Sequence, residues 1–297
     1  MSERKQTPKM LLTGPRSRLG SRLLEAAQKK GWVTVGLDRI QTEGFLTADI
    51  TDRKKVFEAI RNETPDVVVH TAAFTNVDAC EREKDAAWNI NVLGTENVAL
   101  ACQEVGTRLI HVSTDFVFDG QAGPYCEDDQ PLPINVYGHT KWESEKKVKE
   151  ICPEALTVRI CAPYDWNTVA APNFIMWLVQ QLRLKSKVRI FTDQWNTPAY
   201  LPQVSQTILD CFEKKLSGIL HLSGKEFISR YDFALKVCRI FQMDEALISP
   251  CTSTEFKQVA RRPLKAGLKV ERIEKLLGIP MLRADEGIRL TFEQAHP

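Results

Sequence analysis

Met10-Leu11-Leu12-Thr13-Gly14-Pro15-Arg16-Ser17-Arg18-Leu19-Gly20 begins the regular pattern of a 297-residue chain. A short apolar run leads into a glycine-bearing turn, and apolar residues then recur at helical spacing over 19–30. The first half continues in the same way. Residues 33–37, 45–48, 67–70, 109–112 and 156–160 read as further strands, and 54–61, 86–102 and 140–150 carry helical spacing between them. Such alternation predicts an α/β protein with a Rossmann-type, doubly wound parallel sheet covered by helices on both faces. In sheets of that kind ligands sit beyond the carboxyl ends of the strands.

The pattern loosens after Pro163. A loop containing Trp166 and Pro172 precedes a helix over 173–184, a strand over 219–222 and a helix over 231–241 that Ser229 could cap. Two more helices are expected at 270–277 and 286–293. The chain therefore divides into a nucleotide-binding domain, 1–164, and a smaller mixed α/β C-terminal lobe, 165–297, expected to bind substrate and to interleave with the sheet. With 43% hydrophobic and 26% charged residues, the composition is that of a globular protein. Forty basic against 38 acidic side chains leave +2, which argues against a nucleic-acid or membrane footprint. The polar stretch 1–9 holds no signal-peptide core, and no apolar run reaches membrane-spanning length. Eight scattered cysteines without a C-x-x-C pair indicate neither zinc nor a disulfide scaffold. A cytoplasmic protein with reduced thiols and no metal is expected.

The turn at 13–20 stands where a dinucleotide pyrophosphate meets the N-terminal amides of a helix. Gly14 permits the tight turn and Gly20 the close approach of helix to strand. Ser17 occupies the middle position of the usual three-glycine pattern, where a Cβ would hold a phosphate back. Asp38, ending the second strand, suits a ribose 2′-hydroxyl, whereas Arg39 suits a 2′-phosphate. Arg16 and Arg18 add positive charge, so the expected cofactor is NADPH, with NADH tolerated.

Further along, Tyr137 and Lys141 lie one helical turn apart, downstream of Ser113-Thr114-Asp115. A phenol titrates near ~10, and a neighbouring ammonium is expected to lower that value and ready the group as an acid. Read together, Val112-Ser113-Thr114-Asp115-Phe116-Val117-Phe118-Asp119-Gly120, Asn135-Val136-Tyr137-Gly138-His139-Thr140-Lys141, Ala72-Ala73-Phe74-Thr75-Asn76-Val77-Asp78, Asn91-Val92-Leu93-Gly94-Thr95, Asp193-Gln194-Trp195-Asn196-Thr197-Pro198 and Ala260-Arg261-Arg262-Pro263 give the chain its kinship. It resembles the extended short-chain dehydrogenase/reductase superfamily and, within it, the dTDP-4-dehydrorhamnose reductase family.

The resemblance implies reduction of the C4 carbonyl of a nucleotide-linked 4-keto-6-deoxy sugar, in deoxysugar or polysaccharide biosynthesis. It implies that Thr114 bonds the carbonyl, Tyr137 delivers the proton, and Lys141 tunes Tyr137 and holds the nicotinamide ribose. Around the cofactor it implies Gly14, Arg16, Ser17, Arg18, Leu19, Gly20, Asp38, Arg39, Asp49, Ile50, Ala72, Ala73, Asn91 and Ser113, besides Tyr137 and Lys141. Around the nucleotide-sugar substrate it implies Thr75, Val77, Asp115, Asn173 and Arg262, besides Thr114 and Tyr137. A homodimer is left open. Where the family carries a tryptophan, this chain has Ala162, and Trp166 is expected to substitute for it. Two other readings stand beside the reductase: a non-catalytic NADP-binding regulatory subunit similar to that of methionine adenosyltransferase, and a sugar-nucleotide epimerase. A dehydratase would need an acidic pair that Asp115-Phe116 does not supply.

Overall fold

Both faces of the first strand are apolar, and helices on each side bury them. A computed structural model describes residues 7–167 and 172–296, so most of the N-terminal stretch 1–9 and part of the loop after Pro163 lie outside the described residues. In chain order the first half runs β1 (Lys9–Thr13), α1 (Arg18–Lys29), β2 (Val33–Asp38), β3 (Phe45–Thr47), α2 (Arg53–Glu63) and β4 (Val67–His70). Short helices α3 (Val77–Arg82) and α4 (Lys84–Trp88) follow, then α5 (Thr95–Val105), β5 (Arg108–Thr114), α6 (Val136–Ile151) and β6 (Leu156–Ile160). The second half comprises β7 (Pro163–Tyr164), α7 (Phe174–Arg183), β8 (Val188–Phe191), β9 (Trp195–Asn196), β10 (Ala199–Tyr200), α8 (Leu201–Glu213), β11 (Gly218–His221), β12 (Ile228–Ser229), α9 (Arg230–Ile240), β13 (Ile248–Cys251), α10 (Glu271–Leu277) and α11 (Ala284–Ala295).

Among the described residues, seven strands form one sheet in the order β11-β6-β5-β4-β1-β2-β3, each pair parallel. The order reverses between β1 and β4, the switch point at which doubly wound sheets open a crevice. Met10 and Leu12 face one layer with Leu23, Val69, Val158, Val204 and Ile208. Leu11 faces the other with Val56, Ile60, Val98 and Val148. The α/β architecture is as the sequence predicts.

Differences lie where local chemistry overrides periodicity. The helix expected over 86–102 is interrupted by a π-helical turn, Asn89–Gly94. There Asn91 is fully buried: its Oδ1 accepts from Phe74 N (2.7 Å), and its Nδ2 donates to Phe74 O (3.1 Å) and Thr140 Oγ1 (2.9 Å). Such a bulge re-aims a side chain that a straight helix would present elsewhere. Helix α6 begins four residues before its expected start because Asn135 Oδ1 caps it by accepting from Gly138 N at 2.8 Å. Helix α8 was not foreseen. Its proline, Pro202, falls in the first turn, where no intrahelical N–H is required. The parallel pair β8 and β13 also escaped the sequence reading.

The C-terminal part is not a separate lobe throughout. Helix α8 packs on α1, and β11 completes the edge of the main sheet beside β6. Between these excursions, α7, α9, α11, β8 and β13 enclose their own core of Ile175, Leu178, Val188, Ile190, Phe233, Val237 and Ile288.

Between β6 and α6, Arg159 and Glu145 form a buried bidentate pair, Nε to Oε1 at 2.9 Å and Nη2 to Oε2 at 2.7 Å. The guanidinium also lies over Phe118, 5.0 Å from the ring centroid. Breaking such a pair strands a charge in low dielectric at a cost of about 3–5 kcal/mol. Glu145→Ala is accordingly expected to lower stability by that amount in urea denaturation, and Glu145→Leu combined with Arg159→Met to cost clearly less.

Candidate functional site

Above the switch point, Gly14 adopts φ +69°, and a Cβ there would lie 3.1 Å from Ala72 backbone and from Thr71 Oγ1. A side chain at Gly20 would collide with the Gly14 carbonyl, so that glycine sets the distance of α1 from the turn. Ser17 takes an ordinary φ of −68°, and its Oγ accepts from Gly20 N at 3.0 Å, capping α1. The cap accounts for a serine where glycine is usual: no unusual backbone angle is required, and the hydroxyl satisfies an orphan helix N–H.

A cavity of about 370 Å³ opens beside this turn, lined among others by Gly14, Arg16, Ser17, Asp38, Arg39, Asp49, Ile50, Ala72 and Ala73. The glycine cradle, the helix N-terminus and the mixed Asp38 and Arg39 wall fit a dinucleotide. Asp38 Oδ1 accepts from its own loop at Ile40 N (3.0 Å), and Asp49 Oδ1 from Thr51 N and Oγ1 (2.9 and 2.8 Å).

A second cavity, about 390 Å³, shares Ser17, Thr71, Ala73 and Thr75 with the first and reaches Leu19, Val77, Ser113, Thr114, Asp115, Tyr137, Lys141 and Ala162. The carboxyl end of β5 delivers Thr114, and the first turns of α6 deliver Tyr137 and Lys141. Phe116 packs edge-on against the Tyr137 ring, with centroids 5.8 Å apart. Lys141 is buried, with Nζ 3.4 Å from His111 Nε2, which also meets Ser144 Oγ at 2.9 Å. His111 in turn stacks on His70, which joins Thr13 Oγ1 (2.7 Å) and Thr95 Oγ1 (3.0 Å). Burial and the Lys141 charge hold both imidazoles below their ordinary range, so they pack as neutral rings.

The expected depression of the Tyr137 phenol by Lys141 is not what the site produces. Burial pushes the phenol above its ordinary value, a hydrogen bond with Thr114 pulls the other way, and the Asp115 charge raises it further. Lys141 itself is lowered to about 8 by burial, against a weaker opposing pull from Glu145.

Several residues expected at ligands have side chains engaged within the scaffold. Asn91 lines neither cavity, its amide being committed to the π turn. Arg18 borders the second cavity, but its Nη1 donates to Asp165 Oδ1 at 2.8 Å, while Arg22 Nε donates to Asp165 Oδ2 at 2.6 Å. Asn173 caps α7 by accepting from Met176 N (3.0 Å) and holds Asp165 O through Nδ2 (2.6 Å). Trp166 packs on Phe241, 5.7 Å between centroids, and does not take the place left by Ala162.

A third cavity, about 440 Å³, meets the second at Asp115, Phe116 and Ala162. Arg189, Arg230 and Arg262 enter it beside Phe174, Phe191 and Trp195. Arg262 Nη2 is paired with Asp78 Oδ1 at 2.9 Å. Arg230 lies 4.4 Å over the Phe174 ring with no carboxylate in salt-bridge range among the described residues. Burial and the nearby Arg262 lower its pKa. Sequence reading missed Arg230 because an arginine opening an amphipathic helix looks like solvated surface.

Fold and site define a dinucleotide-binding α/β protein of the extended short-chain dehydrogenase/reductase class. The model of the family described as "RmlD substrate binding domain" matches residues 8–296, and the chain belongs to that family, the family of dTDP-4-dehydrorhamnose reductases. It is 31% identical to the dTDP-4-dehydrorhamnose reductase of Mycobacterium tuberculosis, over 94% of this chain and 90% of that one. It is 30% identical to methionine adenosyltransferase 2 subunit beta of Mus musculus, over 90% and 82% respectively. A Bacillus anthracis dTDP-4-dehydrorhamnose reductase, solved in complex with NADP, superposes with TM-score 0.89 at 28% identity, covering 97% of this chain and 100% of that one.

Lys141 releases its proton near 8 in the fold, against ~10.4 for a free ammonium, so the folded chain binds fewer protons between those values and stability rises with pH across that window. Below 8 the burial cost is present in full. Lys141→Met should therefore raise the melting temperature at pH 7 by roughly 3 °C or more, with the gain shrinking toward pH 10.

Proposed function

We propose that the protein is an NADPH-dependent reductase of the C4 carbonyl of a nucleotide-linked 4-keto-6-deoxy sugar, serving deoxysugar or polysaccharide biosynthesis in the cytoplasm. The observation that carries this reading is the convergence of Thr114, Tyr137 and Lys141 in a cavity continuous on one side with the Gly14 cradle and on the other with an arginine-lined pocket. The dinucleotide supplies hydride when bound. Everything else falls to the chain.

Tyr137, its pKa raised by burial, keeps its proton at neutral pH and can release it to an oxygen that gains negative charge. Thr114, within hydrogen-bonding reach of that phenol, favours its anion and so assists the release. Lys141, still mostly protonated at pH 7, adds positive potential from a buried position, where a fixed charge acts more strongly than in solvent. On the far side, Arg230 and Arg262 suit the diphosphate of a sugar nucleotide, and the aromatic side chains around them suit a base or sugar face.

Tyr137→Phe is expected to cut kcat by about 10²–10⁴ in NADPH oxidation driven by a nucleotide-linked 4-keto sugar. Near-normal turnover in that variant would exclude Tyr137 as the acid. Arg230→Met should raise KM for the sugar nucleotide roughly tenfold, the equivalent of one charge-assisted bond of about 1.4 kcal/mol, and leave KM for NADPH unchanged. Similarity to the methionine adenosyltransferase subunit supports one alternative. Absence of turnover with every keto sugar, together with a stable complex with a partner enzyme, would favour that non-catalytic reading.

A further inference from the structure

Among the described residues Asp115 is the one carboxylate that lines the reaction cavity, and besides its expected place around substrate it adjoins the Thr114 hydroxyl. It is buried, and each group that donates to it is neutral. Thr114 Oγ1 lies 3.0 Å from Oδ1, the Cys161 thiol 3.2 Å from Oδ2, and the backbone N–H groups of Asp115 and Phe116 contribute the rest. Other titratable or charged groups face it from several elements. Tyr137 and Lys141 come from α6, Cys80 lies behind Tyr137 on α3, and Cys161 follows β6. Arg230 and Arg262 enter from across the adjoining cavity. None of the cations forms an ion pair with Asp115 among the described residues.

Thr114 has a single hydroxyl proton. Its oxygen already accepts from Phe116 N at 3.2 Å. The 3.0 Å contact with Asp115 Oδ1 holds one hydrogen, which belongs to Thr114 when Asp115 is ionised and to Asp115 when it is protonated. We propose that Asp115 is a positioning residue that sets the direction of the Thr114 hydroxyl. As a carboxylic acid it donates to Thr114 Oγ1 and leaves the Thr114 proton free for either the substrate carbonyl or the Tyr137 oxygen; as a carboxylate it takes that proton itself.

The ionised form weakens the site in two ways. It removes the Thr114 hydrogen bond that favours the Tyr137 phenolate, and it adds a negative charge that opposes release of the Tyr137 proton. Burial holds the Asp115 carboxyl up to about 7, so the switch falls within the working range of the protein. Its acid form, active by this argument, predominates below that value and is lost above it. The thiol of Cys161 contributes to that setting, because a weak S–H donor supports a carboxylate less than a hydroxyl would.

This inference rests on the reductase reading, and its test separates the two. The pH dependence of kcat is measured from 5.5 to 9.5 with a nucleotide-linked 4-keto sugar for wild type, Asp115→Asn and Cys161→Ser. In parallel, the carboxylic-acid infrared band that Asp115→Asn abolishes is titrated without any ligand. Wild type should fall about tenfold per pH unit above a limb near neutrality. Asp115→Asn, whose amide N–H replaces the acid O–H but does not titrate, should retain measurable turnover at pH 6 and lose that limb, leaving the later one from Lys141. Cys161→Ser should move the limb to lower pH. An unchanged limb in Asp115→Asn, a kcat lost at every pH in that variant, or an infrared band that does not titrate between pH 6 and 8 would each overturn the proposal. No turnover by wild type with any sugar sinks the reductase reading instead, and the infrared titration still decides how Asp115 is protonated.

Discussion

A lysine ammonium enclosed with no carboxylate in contact among the described residues is the constraint around which this molecule is arranged. Lys141 meets the His111 ring and reaches Glu145 only across a helical turn. Such a charge is expensive to bury, and the surrounding chain limits the expense without neutralising it. His111 and His70 are kept neutral; Thr13 and Thr95 satisfy both ring nitrogens of His70, and Ser144 meets Nε2 of His111, whose Nδ1 has no hydrogen-bond partner among the described residues. Those contacts tie β1 to β4, β4 to α5 and β5 to α6. A group held at such cost in a cavity wall serves chemistry better than it serves stability.

The sheet was legible in the sequence because a parallel, doubly covered strand leaves an almost continuous apolar signature, and residues such as Val67, Val68 and Val69 have few other places to go. What was hidden depended on contacts distant in sequence. The π turn exists because Asn91 bonds the loop at Phe74 and the hydroxyl of Thr140, and neither partner can be inferred from helical spacing. Helix α8 was obscured by Pro202, which is tolerated only because of where in the helix it falls.

The candidate site divides along the same line. Gly14, Asp38, Ala72, Thr114, Tyr137 and Lys141 line the cavities as their motifs suggest, since those motifs encode backbone turns and strand ends. Arg18, Asn91 and Asn173 were read as ligand contacts from position alone, and their side chains are taken up by Asp165 and the π turn. Arg230 opens an amphipathic helix and so resembles solvated surface; that no carboxylate among the described residues lies in salt-bridge range of it is visible only in the fold. The serine at position 17 looked like a defect in a glycine pattern, and its capping bond to Gly20 N gives it a positive reason.

Asp165 links two regions that a sequence division at 164 would separate. Its carboxylate is held by Arg18 and Arg22 of α1, and its carbonyl by Asn173 at the start of α7. The helix whose N-terminus faces the dinucleotide cavity is thus bolted to the helix that borders the arginine-lined pocket. One polar strut thereby holds part of the wall of each cavity in a fixed relation to the other.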